Sequence, residues 1–244
     1  CPSDITGVSV DAGLCSAVVN YTPPTGTDNC TGATTVQTAG LASGSAFPVG
    51  TTTNTFEVTD AAGNTTTCSF DVTVVDDEDP TIPTLADVTG QCSATAVAPT
   101  TTDNCAGTIT GTTDDPLTYN TQGTHTITWT FDDGNGNSID VDQDIIVNDT
   151  TDPIAPTLPD LTGECSVTAV APTITDNCNG NVITGSTDDP LTYNTQGTHT
   201  ITWTFDDGNG NSIDVDQDII VNDITPPTIT CPSDITGVSV DAGL

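Results

Sequence analysis

Apolar and polar residues alternate along this chain with a period of two. In "GTHTITWTF" (123–131), His125, Ile127, Trp129 and Phe131 fall on one face and Thr124, Thr126, Thr128 and Thr130 on the other. Strict alternation of β-branched and aromatic residues predicts a half-buried strand. "SIDVDQDIIV" (138–147) alternates as well, with Ile139, Val141, Ile145 and Val147 inward and Asp140, Asp142 and Asp144 outward. Between the two lies "DDGNGN" (132–137), a hairpin turn rich in glycine and asparagine. No stretch reads as a helix. No apolar run approaches the ~18 residues that a membrane helix needs, so direct membrane insertion is not expected.

The pattern recurs. "DDPLTYNTQGTHTITWTFDDGNGNSIDVDQDIIVND" fills 114–149 and again 188–223 without a difference. A second segment appears three times: "CSAVVNYTPPTGTDNC" (15–30), "CSATAVAPTTTDNC" (92–105) and "CSVTAVAPTITDNC" (165–178). The intervals predict modules of about 75 residues, at 1–77, 78–150 and 151–224. Residues 231–244 repeat residues 1–14, and Cys1 and Cys231 are 230 residues apart. The expectation is one period of a longer tandem array, with 225–244 opening the next period. Several short strands per module, with Pro- and Gly-rich turns, predict an all-β fold: small Ig-like Greek-key β-sandwiches in an elongated array. Trp129 and Trp203, inward on a strand, read as core.

Charge narrows the partners. There is no Lys or Arg against 34 acidic residues, a formal charge of −34. No Lys or Arg salt bridge can form, and self-repulsion opposes compaction unless cations neutralise it. Without basic residues the chain cannot grip phosphate, so neither nucleic acid nor an anionic membrane is an expected partner. Disorder is excluded by the 34% hydrophobic content and its regular alternation.

Nine cysteines point to an oxidising, extracellular compartment. The second and third modules hold two cysteines each. If bonding is intramodular, the pairs are Cys92–Cys105 and Cys165–Cys178, and by alignment Cys15–Cys30. Cys1 and Cys68 then pair, and Cys231 looks for a partner in a following unit.

Nothing indicates an enzyme. The two histidines, His125 and His199, are one position in copied modules and read as core-edge residues. No nucleophile elbow, HExxH or phosphate-binding glycine loop occurs.

"CPSDITGVSVDAGLC", "TDNC", "FPVGTTT", "VTDAAGN" and "CSFDVTVVD" together resemble the hyalin repeat (HYR) pattern over nearly all of residues 1–75. The resemblance implies an immunoglobulin-like β-sandwich. The second and third modules keep the "CS…DNC" segment and the late hairpin but lack counterparts of Cys1, Cys68 and "FPVG", so their likeness is to a related Ig-like fold. Near-identical acidic arrays of this kind resemble the giant secreted adhesins of gliding Bacteroidota. That implies a cell-surface extender whose partners are neighbouring copies of the array, with surface glycans or other cells as possible ligands.

Carboxylates cluster at fixed places. Module junctions read "VVDDEDP" (74–80), "VNDTTDP" (147–153) and "VNDITPP" (221–227). The last two resemble the inter-domain linker of cadherins, which implies calcium. Calcium takes 6–8 oxygen ligands, mostly carboxylate and carbonyl. The late hairpin supplies Asp132 and Asp133, copied as Asp206 and Asp207, with Asp60 and Asn64 in the analogous place of the first module. In an Ig-like sandwich that hairpin shares a pole with the incoming linker. Asp76, Asp77 and Asp79 are therefore expected to face Asp132 and Asp133, and Asp149 and Asp152 to face Asp206 and Asp207. Asp223 opens the corresponding third junction. Asp28, Asp103 and Asp176, each before an Asn–Cys pair, are harder to place, since an intramodular disulfide pulls them toward the start of a strand. Each cluster also reads as an ordinary solvated turn. "DTT" (149–151) resembles the O-glycosylation motif of Bacteroidota, with Thr150 as acceptor.

The expectation is thus an extender segment, disulfide-stapled and calcium-stiffened. A self-assembling filament subunit and a glycan- or protein-binding module are the alternatives.

Overall fold

A computed structural model describes residues 1–178, 180–234, 236 and 237. The described residues contain strands and turns and no helix. They form two compact units, Cys1–Asn148 and Asp149–Leu244. Of the expected opening of a further module at 225–244, residues 235 and 238–244 lie outside the described residues.

The first unit holds β1 (Ile5–Ser9), β2 (Ser16–Val19), β3 (Thr34–Ala39), β4 (Ser45–Pro48), β5 (Gly50–Thr59), β6 (Thr65–Val75) and β7 (Val88–Gly90). It continues with β8 (Ala94–Thr95), β9 (Thr100–Asp103), β10 (Gly107–Thr110), β11 (Thr118–Tyr119), β12 (Gly123–Asp132) and β13 (Ser138–Val147). One sheet runs β1-β6-β5-β3, with β1 parallel to β6, and a second pairs β2 with β4. Between them Val10, Ala17, Val19, Phe47, Phe56, Phe70, Val72 and Val74 form a first core. Tyr21 stacks edge-on against Phe47, Phe56 and Phe70 and donates its hydroxyl to the Leu41 carbonyl at 2.6 Å. The apolar ring is buried while its polar tip is satisfied.

A second core gathers Ile127, Trp129, Phe131, Ile145 and Val147. These come from β12 and β13, paired from Gly123↔Val147 to Asp132↔Ser138, with β7 parallel along the far edge of β13. The indole N–H of Trp129 donates to Gln143 Oε1 at 3.0 Å, and Gln143 Nε2 donates to the Ala86 carbonyl at 2.8 Å. Burying Trp here leaves no polar atom orphaned. The short pairs β8–β11 and β9–β10 complete the layer.

The second unit holds β14 (Leu161–Gly163), β15 (Val167–Thr168), β16 (Thr173–Thr175), β17 (Val182–Thr184), β18 (Thr192–Tyr193), β19 (Gly197–Asp206) and β20 (Ser212–Val221). It repeats the second core with Ile201, Trp203, Phe205, Ile219 and Val221. His125 and His199 stack on Tyr119 and Tyr193 at ring separations of 4.4 and 4.6 Å, at the edge of each core.

The outward faces are ordered too. Threonine hydroxyls of β12 donate across to the aspartates of β13: Thr126 to Asp144, Thr128 to Asp142 and Thr130 to Asp140, at 3.1, 2.8 and 2.7 Å. The same ladder joins β19 to β20. Opposed side chains on one face of a sheet are its natural interaction pairs.

The cysteines depart from intramodular pairing. Cys1 bonds Cys68, but Cys15 bonds Cys105, whose Cα is 4.8 Å away. Cys92 and Cys178 are also disulfide-bonded. Cys30 and Cys165 carry free, exposed thiols, as does Cys231. The expected pairs Cys15–Cys30, Cys92–Cys105 and Cys165–Cys178 are therefore corrected. The reason is the β9–β10 turn. It carries Cys105 against the first core, beside the β1–β2 connection, where Asn104 Nδ2 donates to the Leu14 carbonyl at 3.0 Å. The Cys15–Cys105 bond spans 90 residues of sequence. Loop-closure entropy alone gives a bond of that span about 4–5 kcal/mol.

Cys15→Ser should make Cys105 reactive to iodoacetamide and leave the labelling of Cys30 the same as in the parent, read by peptide mass spectrometry. Intramodular bonding would leave Cys105 protected and make Cys30 reactive only in the variant.

Candidate cation site at the linker

The chain leaving β6 reaches Asp76, which is buried. Two loops of the second core meet it. One is the β12–β13 hairpin, bent by Gly134 and Gly136 at φ 79° and 116°, a backbone region that favours glycine. Asp133 organises this hairpin. Its Oδ1 accepts the backbone N–H groups of Asn135 (2.8 Å), Gly136 (3.2 Å) and Asn137 (3.1 Å), and its Oδ2 accepts Asn137 Nδ2 at 2.6 Å. Asn135 Nδ2 in turn donates to Asp76 Oδ2 at 2.8 Å, and Asn137 Nδ2 to the Asp76 carbonyl at 3.4 Å.

The other loop is the β9–β10 turn. Asp103 Oδ1 accepts the backbone N–H groups of Cys105 and Ala106, both at 2.7 Å. Its Oδ2 is buried and has no hydrogen-bond partner. Asp76, Asp103 and Asp133 each present a carboxylate oxygen within 4.8 Å of the others. All three are at least nine-tenths buried. Three carboxylates in one desolvated place, with one oxygen unserved, are costly unless a cation joins them. The donor set is all oxygen, which suits a hard divalent ion such as calcium.

The second unit carries a related arrangement. Asp149 and Asp176 are buried and close to one another, with the sulfur of Cys178 beside them. That sulfur is in a disulfide and is no thiolate ligand. Asn211 Nδ2 donates to the Asp149 carbonyl at 3.1 Å and to Asp207 Oδ2 at 2.7 Å.

The other expected site residues lie elsewhere. Asp77 accepts the Ser9 hydroxyl at 2.6 Å, and Asp79 is exposed. Asp132 and Asp206 are exposed and cap their own turns by accepting from Gly134 and Gly208. Asp152, Asp223 and Thr150 are exposed. Asp103 and Asp176 are the residues that sequence reasoning left unplaced, because an intramodular disulfide would have drawn them away. Their signal was the "DN" before each cysteine.

Hydrogen bonding sets the charge state of the hairpin aspartates. Burial pushes the Asp133 carboxyl up, but the donors of Asn137, Asn135 and Gly136 outweigh it and hold the group below its ordinary value. Asp207 behaves likewise. At Asp60 the side chain of Asn64 is the largest cause of the lowering.

Fold and site define a β-sandwich repeat with acidic, disulfide-linked connections. Residues 1–74 match the profile of the HYR domain. The chain is 31% identical over 258 residues to hyalin of Lytechinus variegatus, an alignment covering 96% of this chain and 48% of that protein. It is also 31% identical over 267 residues to hyalin of Strongylocentrotus purpuratus, covering 99% and 22% respectively. The chain thus spans about half the length of the first relative and about a fifth of the second. Among solved structures it is similar to Drosophila N-cadherin EC1-3 at 12% identity, covering 92% of this chain and 99% of that one, with a TM-score of 0.33. The extracellular cadherin domains 1-5 of protocadherin gamma B2 align at 11% identity over 92% of this chain and 60% of that one, with the same TM-score, 0.33.

In chelator, Asp133→Ala should cost about 1–3 kcal/mol at pH 7 in urea unfolding, since it removes the acceptor for the whole hairpin. A carboxyl lowered in the folded state stabilises fully above its unfolded value of about 3.9, and that share vanishes as pH falls through the lowered value. The gap between parent and variant should therefore narrow from pH 7 to pH 3.

Proposed function

We propose that this chain is a spacer segment of an extracellular repeat protein, in which calcium at the linker fixes one sandwich to the next. The observation that carries the proposal is the buried, unserved Asp103 Oδ2 beside Asp76 and Asp133. Asp76 belongs to the linker, whereas Asp103 and Asp133 belong to the second core. An ion held by all three would tie the linker to that sandwich and offset the repulsion among them. Asp149 with Asp176 is the corresponding place in the second unit. Disulfides support an oxidising compartment outside the cytosol. Similarity to the two hyalins supports an extracellular adhesive setting, and the tandem copies within the chain support neighbouring copies of the array as partners. The finer assignment, to the surface of a gliding bacterium, rests on the resemblance of the acidic array alone.

Calcium should raise the melting temperature of the chain in calorimetry, by about 2.7 kcal/mol of stability at a hundredfold excess over Kd. Asp103→Asn should remove much of that increment while leaving the fold intact by circular dichroism. Equal melting in calcium and in chelator for the parent would overturn the proposal.

A further inference from the structure

The first and second cores present the same device in two states. In the second, the "DNC" turn is occupied: Cys105 is bonded to Cys15, and Asp103 and Asp133 are buried against Asp76. In the first, the equivalent turn is open. Cys30 is a free, exposed thiol and Asp28 is exposed. The local conformation is nevertheless set in the same way. Asp28 accepts the Cys30 N–H at 3.0 Å, as Asp103 accepts that of Cys105 at 2.7 Å. Asp60 and Asn64 repeat the Asp133–Asn137 hairpin, with Asn64 Nδ2 donating to Asp60 at 2.7 Å. Between turn and hairpin lies a cavity of about 210 Å³ lined by Asp28, Asp60 and Asn64, and Cys30 borders the adjoining hollow.

The complementary half is also present. Cys165 lies between β14 and β15, as Cys15 lies between β1 and β2, and its thiol is free and exposed. Asp223 follows β20 as Asp76 follows β6, and it too is exposed. Eight residues beyond Asp223 the sequence becomes that of residues 1–14 again. Residues 231–244 thus carry the opening sequence of a module of the first kind, the kind whose "DNC" cysteine is Cys30.

We propose that the open pole around Cys30 is the docking surface for a second copy of this repeat unit, joined to it by a disulfide from Cys165 of one copy to Cys30 of the next. Asp223 of the first copy then faces Asp28 and Asp60 of the second, as Asp76 faces Asp103 and Asp133. The Cys165–Cys30 bond runs forward from a "CS" segment to the "DNC" of the next copy. Cys15–Cys105 is the example held within this chain. Forming each bond removes a proton and an electron from each thiol. Both electrons and both protons pass to a disulfide oxidant, which departs as two thiols.

The test is disulfide mapping of the secreted array, alkylated before digestion, in calcium and again in chelator. The peptides around Cys15, Cys92 and Cys165 differ in sequence, as do those around Cys30, Cys105 and Cys178. The expected result is a linked pair containing Cys165 and Cys30 under both conditions, with loss of alkylation at both positions. Cys30→Ser in every unit should then expose a new thiol at Cys165 and leave Cys15 and Cys105 protected. Alkylated Cys30 and Cys165 in the parent would overturn the proposal, and so would a Cys30–Cys15 or Cys30–Cys30 pair. Because the bond is read without calcium, a failure of the calcium proposal leaves this result intact.

Discussion

A chain with no positive side chain must settle every carboxylate with neutral donors or with cations. That constraint explains most of the polar detail. Asp133, Asp207 and Asp60 are each wrapped by the N–H groups of their own hairpin. Asp103 and Asp176 accept the N–H of the cysteine two residues on. The aspartates of β13 and β20 take threonine hydroxyls from the neighbouring strand. Each is a short-range solution requiring no ion pair, so each can be copied with the module. The linker is the place where such donors run out, and Asp103 Oδ2 is the oxygen left over.

The same economy bears on the cysteines. Small sandwiches have modest cores, and covalent links supplement them. Cys1–Cys68 closes the first sandwich on itself, and Cys15–Cys105 closes the first onto the second. The second link and the acidic site share the β9–β10 turn: Cys105 faces the first core while Asp103, two residues away, faces Asp76. Covalent and electrostatic connections thus act on one loop and reinforce a single placement of it. Effects of substitution at these positions should couple rather than add.

Sequence alone determined the parts governed by local periodicity and by copying. Alternation in "GTHTITWTF" and "SIDVDQDIIV" placed Trp129, Phe131 and Ile145 in the core and the Thr and Asp columns outside, because side chains on a strand point to opposite faces in turn. The hairpin between them, its Asp–Asn pairing and its analogue at Asp60 and Asn64 were legible for the same reason. Tertiary structure decided where the ends of these elements meet. "CS…DNC" has the same spacing whether its cysteines bond each other or bond forward, so counting could not tell Cys15–Cys30 from Cys15–Cys105. The turn that presents Cys105 also carries Asp103, so misplacing one residue misplaced the other. Which of Asp76, Asp77 and Asp79 turns inward likewise depends on how the linker leaves β6 and which loops receive it. Composition cannot express that, because it is a contact between residues distant in sequence.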